Sequence, residues 1–476
     1  MHLVEMLAIG FYLSILVLIA IFSYQKNQTS SDFIIGGRKM NFWLTALAAH
    51  ASDMSSWIFM GYPMLIFKTG FSNISVAIGL IIFMFLNWKY VSAKLRLETE
   101  KYQAMTFSSY FESRFSDVSG TIRVLSAVMC FIFYSIYISA GFYGLGLLME
   151  SLFNIPYAIG VSLGFLIVIP YLFVGGYITL AWTDFFQGMF LLAVIILVPC
   201  FATAKIGGFS ELFSSLNQQN FFSNIIPQHN LIGLITLLFT MLSWGLGYFG
   251  QPHIVTKFMG ISHAEDTKKS KWVGMSWQTI TLAASTLIGM VAIPYFGASE
   301  FDPQLIFVNM VKSLFSPFVS ALILCAILGT TITLADSQIL VLASSLTEDF
   351  YRRILRKQAS SKELLLVSRL SIFFVGLFSY LVALQKFSTI FSLVEFAWFG
   401  LGSSFGPLIL FSLYSKRTTR QGAIAGIIAG GSISIIAPLI NHLFGFSLPP
   451  MIPAFFGSCF AIYFVSRLTA SPLEKI

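Results

Sequence analysis

Thirteen largely apolar runs of 18 or more residues recur along the chain, at about 3–24, 41–66, 72–92, 121–149, 156–176, 178–204, 231–258, 272–296, 317–343, 364–385, 389–414, 421–442 and 449–467. About 20 apolar residues cross a bilayer as a helix, so the pattern predicts an all-α polytopic membrane protein of about thirteen spans. Two runs are interrupted. In the seventh, Trp244-Gly245-Leu246-Gly247-Tyr248-Phe249-Gly250-Gln251-Pro252-His253 puts three glycines and a proline into hydrocarbon. Glycine is poor in a helix interior and proline lacks an N–H, so the helix should unwind there and leave backbone groups that lipid cannot satisfy. In the second run, about 190 residues earlier, Ala51-Ser52-Asp53-Met54-Ser55-Ser56 makes a similar break. Each break opens a block of five spans, and interrupted helices at corresponding positions of two halves point to a transporter's central site. The expected organisation is one transmembrane unit: an extra helix and link over 1–40, a first repeat over 41–205, a second over 231–414, and two further helices with a tail over 421–476.

Composition agrees with a membrane protein, at 57% hydrophobic and only 10% charged residues, where water-soluble domains carry about 25% charged. The formal net charge of +8 at first suggests a polyanionic partner. Its distribution removes that need. With the N-terminus outside, 24 of the 28 Lys and Arg residues fall on the cytoplasmic side, and the other face holds Lys68, Lys205, Lys312 and Lys386. This bias places the C-terminus in the cytoplasm and explains the charge without nucleic acid. Cys130, Cys200, Cys325 and Cys459 lie within spans and read as buried apolar residues. The first span has neither a basic flank nor a small-residue cleavage site, which argues for a retained helix.

The informative polar residues lie inside spans. A carboxylate at the centre of a membrane helix costs about 2.5–3.5 kcal/mol on insertion scales, so Asp53 reads as functional. It also suits a cap accepting from the N–H groups of Ser55 or Ser56. Tyr137 lies mid-membrane and suits either a solute or a neighbouring backbone group. Asp184 lies near the cytoplasmic face and reads as solvated unless a vestibule reaches it. In the ninth span Thr330, Thr333 and Ser337 share a helix face, with Asp336 one turn beyond Thr333, and that face is expected to look at an ion path. Glu395 is a further carboxylate inside a span. No catalytic triad, zinc spacing or nucleotide-binding loop is present, so an enzyme and a cofactor are not expected.

These residues resemble the sodium:solute symporter family, most closely its bacterial sodium/proline branch. The likeness runs through Gly36-Gly37-Arg38, Ala51 to Ser55, Asn87-Trp88-Lys89, Gly175-Gly176, Trp182-Thr183-Asp184, Trp244 to His253, Thr347-Glu348-Asp349 and Phe405-Gly406-Pro407. The resemblance implies thirteen helices with a LeuT-type inverted repeat of five plus five, in a bacterial cytoplasmic (inner) membrane. It implies sodium-driven uptake of a small zwitterionic solute, L-proline being the expected one. By position, Ala51 and Met54 would offer carbonyls to sodium, helped by Thr330 and Thr333, with Asp53 supporting cation affinity. Ser55, Ser56, Tyr137, Trp244, Tyr248 and Pro252 would line the solute site.

This chain departs from the family in three ways. Leu334 stands where a second hydroxyl ligand is expected, and Thr330, four residues back, is better placed than Asp336 to replace it. Ser56 stands where proline carriers have glycine. Asp336 and Glu395 stand where hydroxyl residues are expected. Asp184, Asp336 and Glu395 therefore remain candidate coupling carboxylates for a proton-driven or other-solute carrier. A transporter-like sensor is the alternative of another class.

Overall fold

The structure is a computed structural model that describes residues 2–23, 34–174, 177–222, 230–297, 300–386, 388–445 and 448–470. Gly175-Gly176 of the expected family pattern lies outside the described residues. The described chain is helical throughout, with α1 His2–Ser23, α2 Phe42–Ala51, α3 Gly61–Thr69, α4 Ile74–Asn87, α5 Ala93–Lys101 and α6 Phe107–Arg114. There follow α7 Thr121–Phe153, α8 Tyr157–Val174, α9 Tyr177–Lys205, α10 Phe209–Gln218, α11 Leu231–Leu246, α12 Pro252–Gly260 and α13 Thr267–Phe296. The last six are α14 Ile306–Leu314, α15 Pro317–Ser344, α16 Ser361–Leu384, α17 Ile390–Tyr414, α18 Arg420–Phe444 and α19 Met451–Thr469.

Among the described residues, 10 helical segments are long and apolar enough to cross a membrane, and shorter apolar helices cover the first, second and fifth predicted spans. The second span is short because it is broken: α2 ends at Ala51 and α3 begins at Gly61. Helix α15 is the most enclosed of the long segments, followed by α17 and α7, whereas α16 and α19 leave most of their surface uncovered. Leu366, Phe374 and Leu381 on α16 and Phe460 on α19 are exposed, as expected of helices that face lipid chains. The prediction for the cysteines fails at Cys200, which is exposed on α9. Packing against lipid is as favourable for a thiol as packing against protein, so a position inside a span does not fix burial.

Short helix α12 is held at its end by two arginines and a backbone bridge. The Met40 N–H donates to the Gly260 carbonyl at 3.1 Å and the Ser262 N–H donates back to the Met40 carbonyl at 2.9 Å. Arg38 donates to the carbonyls of Met259 at 2.9 Å, Thr99 at 3.0 Å and Ala104 at 2.9 Å. Arg96 donates to the carbonyls of Ile261 at 2.6 Å and Ser262 at 3.1 Å. The last carbonyls of a helix lack intrahelical donors, and cationic side chains satisfy both the oxygens and the helix dipole. Burial, with the Arg96 charge adding to it, lowers Arg38 from its ordinary value to about 10, so it stays charged at neutral pH. Gly36 and Gly37 make the turn that delivers Arg38, since both have positive φ, 61° and 57°, where a Cβ is disfavoured.

Candidate functional site

The two breaks form where the sequence places them and meet at the centre of the protein. At the first, α2 closes on a tight turn in which the Asp53 N–H reaches the His50 carbonyl and the Met54 N–H reaches the Ala51 carbonyl, both at 3.3 Å. Ser55 is extended, and its hydroxyl accepts from the Trp57 N–H at 3.5 Å. The Trp57 indole donates to the Asp53 carbonyl at 3.1 Å. Among the described residues no backbone amide donates to the Met54 carbonyl.

At the second break α11 gives way to a tight 3-10 turn over Gly247–Gly250, Gln251 is extended, and Pro252 starts α12. Proline suits that first helical position, where no N–H is needed. The glycines answer to close approach: a Cβ on Gly250 would lie 2.5 Å from the Gly406 nitrogen and 2.6 Å from the Gly402 oxygen, both backbone atoms of α17. The freed backbone groups find side-chain partners. Trp398 donates to the Trp244 carbonyl at 2.9 Å and Asn87 to the Tyr248 carbonyl at 3.0 Å, while the Gln251 side chain donates to the Trp398 carbonyl of α17 at 3.0 Å and ties the break to that helix.

One hydrogen bond joins the breaks. The Tyr248 hydroxyl donates to Asp53 Oδ2 at 2.5 Å and accepts from Gln278 Nε2 at 2.7 Å. Ser55 caps the turn that follows, and Asp53 Oδ2 is engaged across 195 residues of sequence. Around this bond sits an aromatic shell. Trp244 stacks on Trp57 with ring centroids 6.1 Å apart and packs on Phe391 at 4.9 Å and Phe399 at 5.6 Å, while Trp398 meets Tyr248 edge-on at 5.0 Å. The Tyr137 hydroxyl is buried without a described partner, and its ring lies against His253 at 6.2 Å. Ser56 is buried against Gly144, where a Cβ would come within 2.8 Å of its Oγ. A glycine in α7 thus makes the room that the extra serine hydroxyl needs. Pro252 lines a narrow cleft with Thr256, Lys257, Ser337, Ser344 and Ser345. A second, wider cavity shares Met105 and Thr106 with this cleft and opens past Arg123 and Asp349.

The polar face of α15 is fully buried, and its members have different neighbours. Thr333 donates to the side-chain oxygen of Gln187 on α9. Gly188, next along, presses on the end of α2, where an added Cβ would lie 3.1 Å from the Ala51 Cβ. The Thr330 hydroxyl donates at 3.0 Å to the Ile327 carbonyl of its own helix. Leu334 faces Gly141 of α7, with a methyl 3.7 Å from where a Cβ would stand.

Asp184 corrects its sequence reading. It is 0% exposed and pairs with Lys257 of α12 at 3.2 Å, itself 4% exposed. Depth judged from chain position missed this because Lys257 follows the second break, and unwinding there brings the α12 face inward. Asp336 lies beside Asp184. Glu395 is half-buried near the start of α17, and no described contact joins it to these carboxylates. Lys257, Gln187, Gln278 and Trp398 were not singled out from sequence, and Asn87 entered only as part of a family motif, without a role. The available signal was that each is a polar or indole side chain within or beside an apolar run.

The family model described as "Sodium:solute symporter family" matches residues 33–430. The chain is 36% identical over 469 residues to the high-affinity proline transporter PutP of Bacillus subtilis (strain 168), covering 97% of both chains. It is 37% identical to a sodium/proline symporter of Staphylococcus aureus, covering 98% of this chain and 92% of the relative. Among solved structures, a Na+-coupled sialic acid symporter in a substrate-bound outward-open state superposes with a TM-score of 0.84 at 20% identity, over 98% of each chain.

Proposed function

The chain belongs to the sodium:solute symporter family, and from that premise we propose that it is a secondary active symporter coupling inward sodium flux to the uptake of a small zwitterionic solute, with L-proline the first choice. The proline and sodium assignment is supported by relatives at 36–37% identity that are a proline transporter and a sodium/proline symporter. The observation that carries the mechanism is the bond from the Tyr248 hydroxyl to Asp53, which ties the two helix breaks to each other.

In this reading sodium sits at the first break. The carbonyls of Ala51 and Met54, the Thr330 carbonyl and the Thr333 hydroxyl hold it, and the Asp53 carboxylate supplies negative charge nearby. Oxygen donors of this kind suit a hard cation. The solute lies over the second break, its carboxylate turned to Ser55 and the N–H groups freed where the helices part. Trp244 and Tyr248 pack its apolar ring, with Ser56, Tyr137 and Pro252 closing the pocket. Sodium binding orders the Asp53 turn, Tyr248 transmits that order to the solute pocket, and each ligand thereby favours binding of the other. Release follows the cleft beside Pro252 and the wider cavity beyond Met105 and Thr106. The basic residues around that cavity fit the orientation with both it and the C-terminus in the cytoplasm of a bacterial cell.

Purified protein in liposomes tests the proposal. Labelled proline should accumulate under an inward sodium gradient with no pH gradient, and accumulation should collapse when sodium is equal on both sides. Uptake that ignores sodium, or saturates with another solute and not proline, defeats the reading.

A further inference from the structure

Asp184, Asp336 and Lys257 form a buried charge cluster that neither the sodium site nor the solute site uses. All three side chains are buried. Lys257 Nζ lies 3.2 Å from Asp184 Oδ2. The other Asp184 oxygen has no described donor, and no donor reaches either Asp336 oxygen at hydrogen-bonding distance and angle. The groups nearest to Asp336 are the neighbouring Ser337 and the Asp184 carboxyl itself. Of the charged side chains on the elements packed against this part of α15, Asp184 of α9 and Lys257 of α12 act on Asp336. The other buried titratable side chains on the packed elements are Cys130, Tyr134 and Tyr137 of α7, Tyr177 of α9, His253 of α12 and Tyr12 of α1, of which only the histidine titrates near neutral pH in its ordinary range.

Two carboxylates and one ammonium leave an uncompensated negative charge inside a membrane protein, where such a charge is strongly disfavoured. One more positive charge is needed, and it must fit beside an ammonium already in place. A metal ion between the two aspartates would stand next to Lys257 and be repelled by it. A proton adds charge without volume, and it converts Asp336 into a donor aimed at the acceptor-only oxygens of Asp184, which gives the orphaned atoms partners. The narrow cleft lined by Lys257, Tyr177 and Ser337 supplies a route.

We propose that Asp336, Asp184 and Lys257 form a proton-binding site, loaded from the cytoplasmic side through this cleft, in which Asp336 holds the proton and donates it in a hydrogen bond to Asp184. The proton is a second cation beside sodium, and loading it keeps α9, α12 and α15 together. Loss of the proton at alkaline pH leaves two facing carboxylates and slows transport. The proposal adds to the sodium-driven reading, and either can fail alone.

Infrared absorption of the purified full-length protein in lipid discs at neutral pH tests occupancy without transport. A carboxylic-acid carbonyl band should be present and should lose one group's intensity in Asp336→Asn. Lys257→Met should gain intensity, because Asp184 then takes a proton as well. In liposomes at saturating sodium, wild-type proline uptake should fall about tenfold per pH unit once the lumen is alkaline enough to empty the site. The ratio of Asp336→Asn uptake between neutral and alkaline lumen should stay near one. Absence of the acid band in the wild type, a band untouched by Asp336→Asn, or an equal alkaline fall in both proteins overturns the proton site. Wild-type uptake that needs no sodium at any pH overturns the sodium-driven reading instead.

Discussion

The two helix breaks look alike in sequence and differ in how they are held. The first, Ser52 to Ser55, is a tight backbone turn with few side-chain anchors, and its Met54 carbonyl is left without an amide donor among the described residues. The second, Gly247 to Gln251, is braced by side chains: the Trp398 indole and the Asn87 amide donate to the Trp244 and Tyr248 carbonyls, and the Gln251 amide donates to the Trp398 carbonyl of α17. Backbone oxygen kept in reserve suits a cation, which supplies the missing partner only when bound. Backbone satisfied by large side chains suits a rigid aromatic pocket, which loses little entropy when solute enters. The proposed division of labour between ion and solute rests on where the breaks find their hydrogen bonds, with Tyr248 to Asp53 as the joint between them.

The sharpest way to break this contrast is to remove charge from the first break. Asp53→Asn should raise the half-saturating sodium concentration on the order of a hundredfold, since a charge-assisted interaction is worth about 1.5–3 kcal/mol. Proline binding at saturating sodium should change much less. Uptake titrated against sodium in liposomes measures both, and equal losses in a well-folded variant would mean that Asp53 serves the fold and not the ion.

Truncation at the second break should do the opposite. Trp244→Ala removes a buried tryptophan of the kind that contributes about 2 kcal/mol or more to a binding site. The half-saturating proline concentration should rise about thirtyfold while the sodium curve stays in place. Unchanged proline affinity would move the solute site elsewhere.

Tyr248→Phe probes the joint itself. It keeps the ring against Trp398 and deletes the hydroxyl that meets both Asp53 and Gln278. Sodium and proline affinities should fall together, by roughly tenfold each. Equilibrium binding of labelled proline at several sodium concentrations should show the two ligands losing their mutual dependence, and a purely additive loss with coupling intact would remove Tyr248 from that role.

The smallest effect is expected at Leu334. In the proposed sodium site Leu334 offers no oxygen, and its methyl lies 3.7 Å from where a Cβ on Gly141 would stand. Leu334→Thr should tighten apparent sodium affinity by about threefold, within the few tenths to one kcal/mol typical of one partly solvated hydrogen-bonding group. A weaker affinity would show that packing of Leu334 against Gly141 matters more than the added oxygen.

By itself the sequence determined the membrane class and the position of both breaks, because hydrocarbon imposes a length rule and makes glycine and proline within a span conspicuous. It also singled out Asp53 and Asp336, since carboxylates are costly there wherever the chain goes, while Tyr248 came through the family resemblance. Pairing was beyond it. That Tyr248 reaches Asp53, that Trp398 satisfies the Trp244 carbonyl, and that Gly144 seats Ser56 depend on helices crossing at particular angles, which no periodicity encodes. The plainest case is Asp184, whose place near a span end suggested solvent, while the unwinding at Gly247 to Gln251 turned Lys257 inward to meet it. Only tertiary structure decided that pair, because a break in a helix resets the direction of every side chain that follows it.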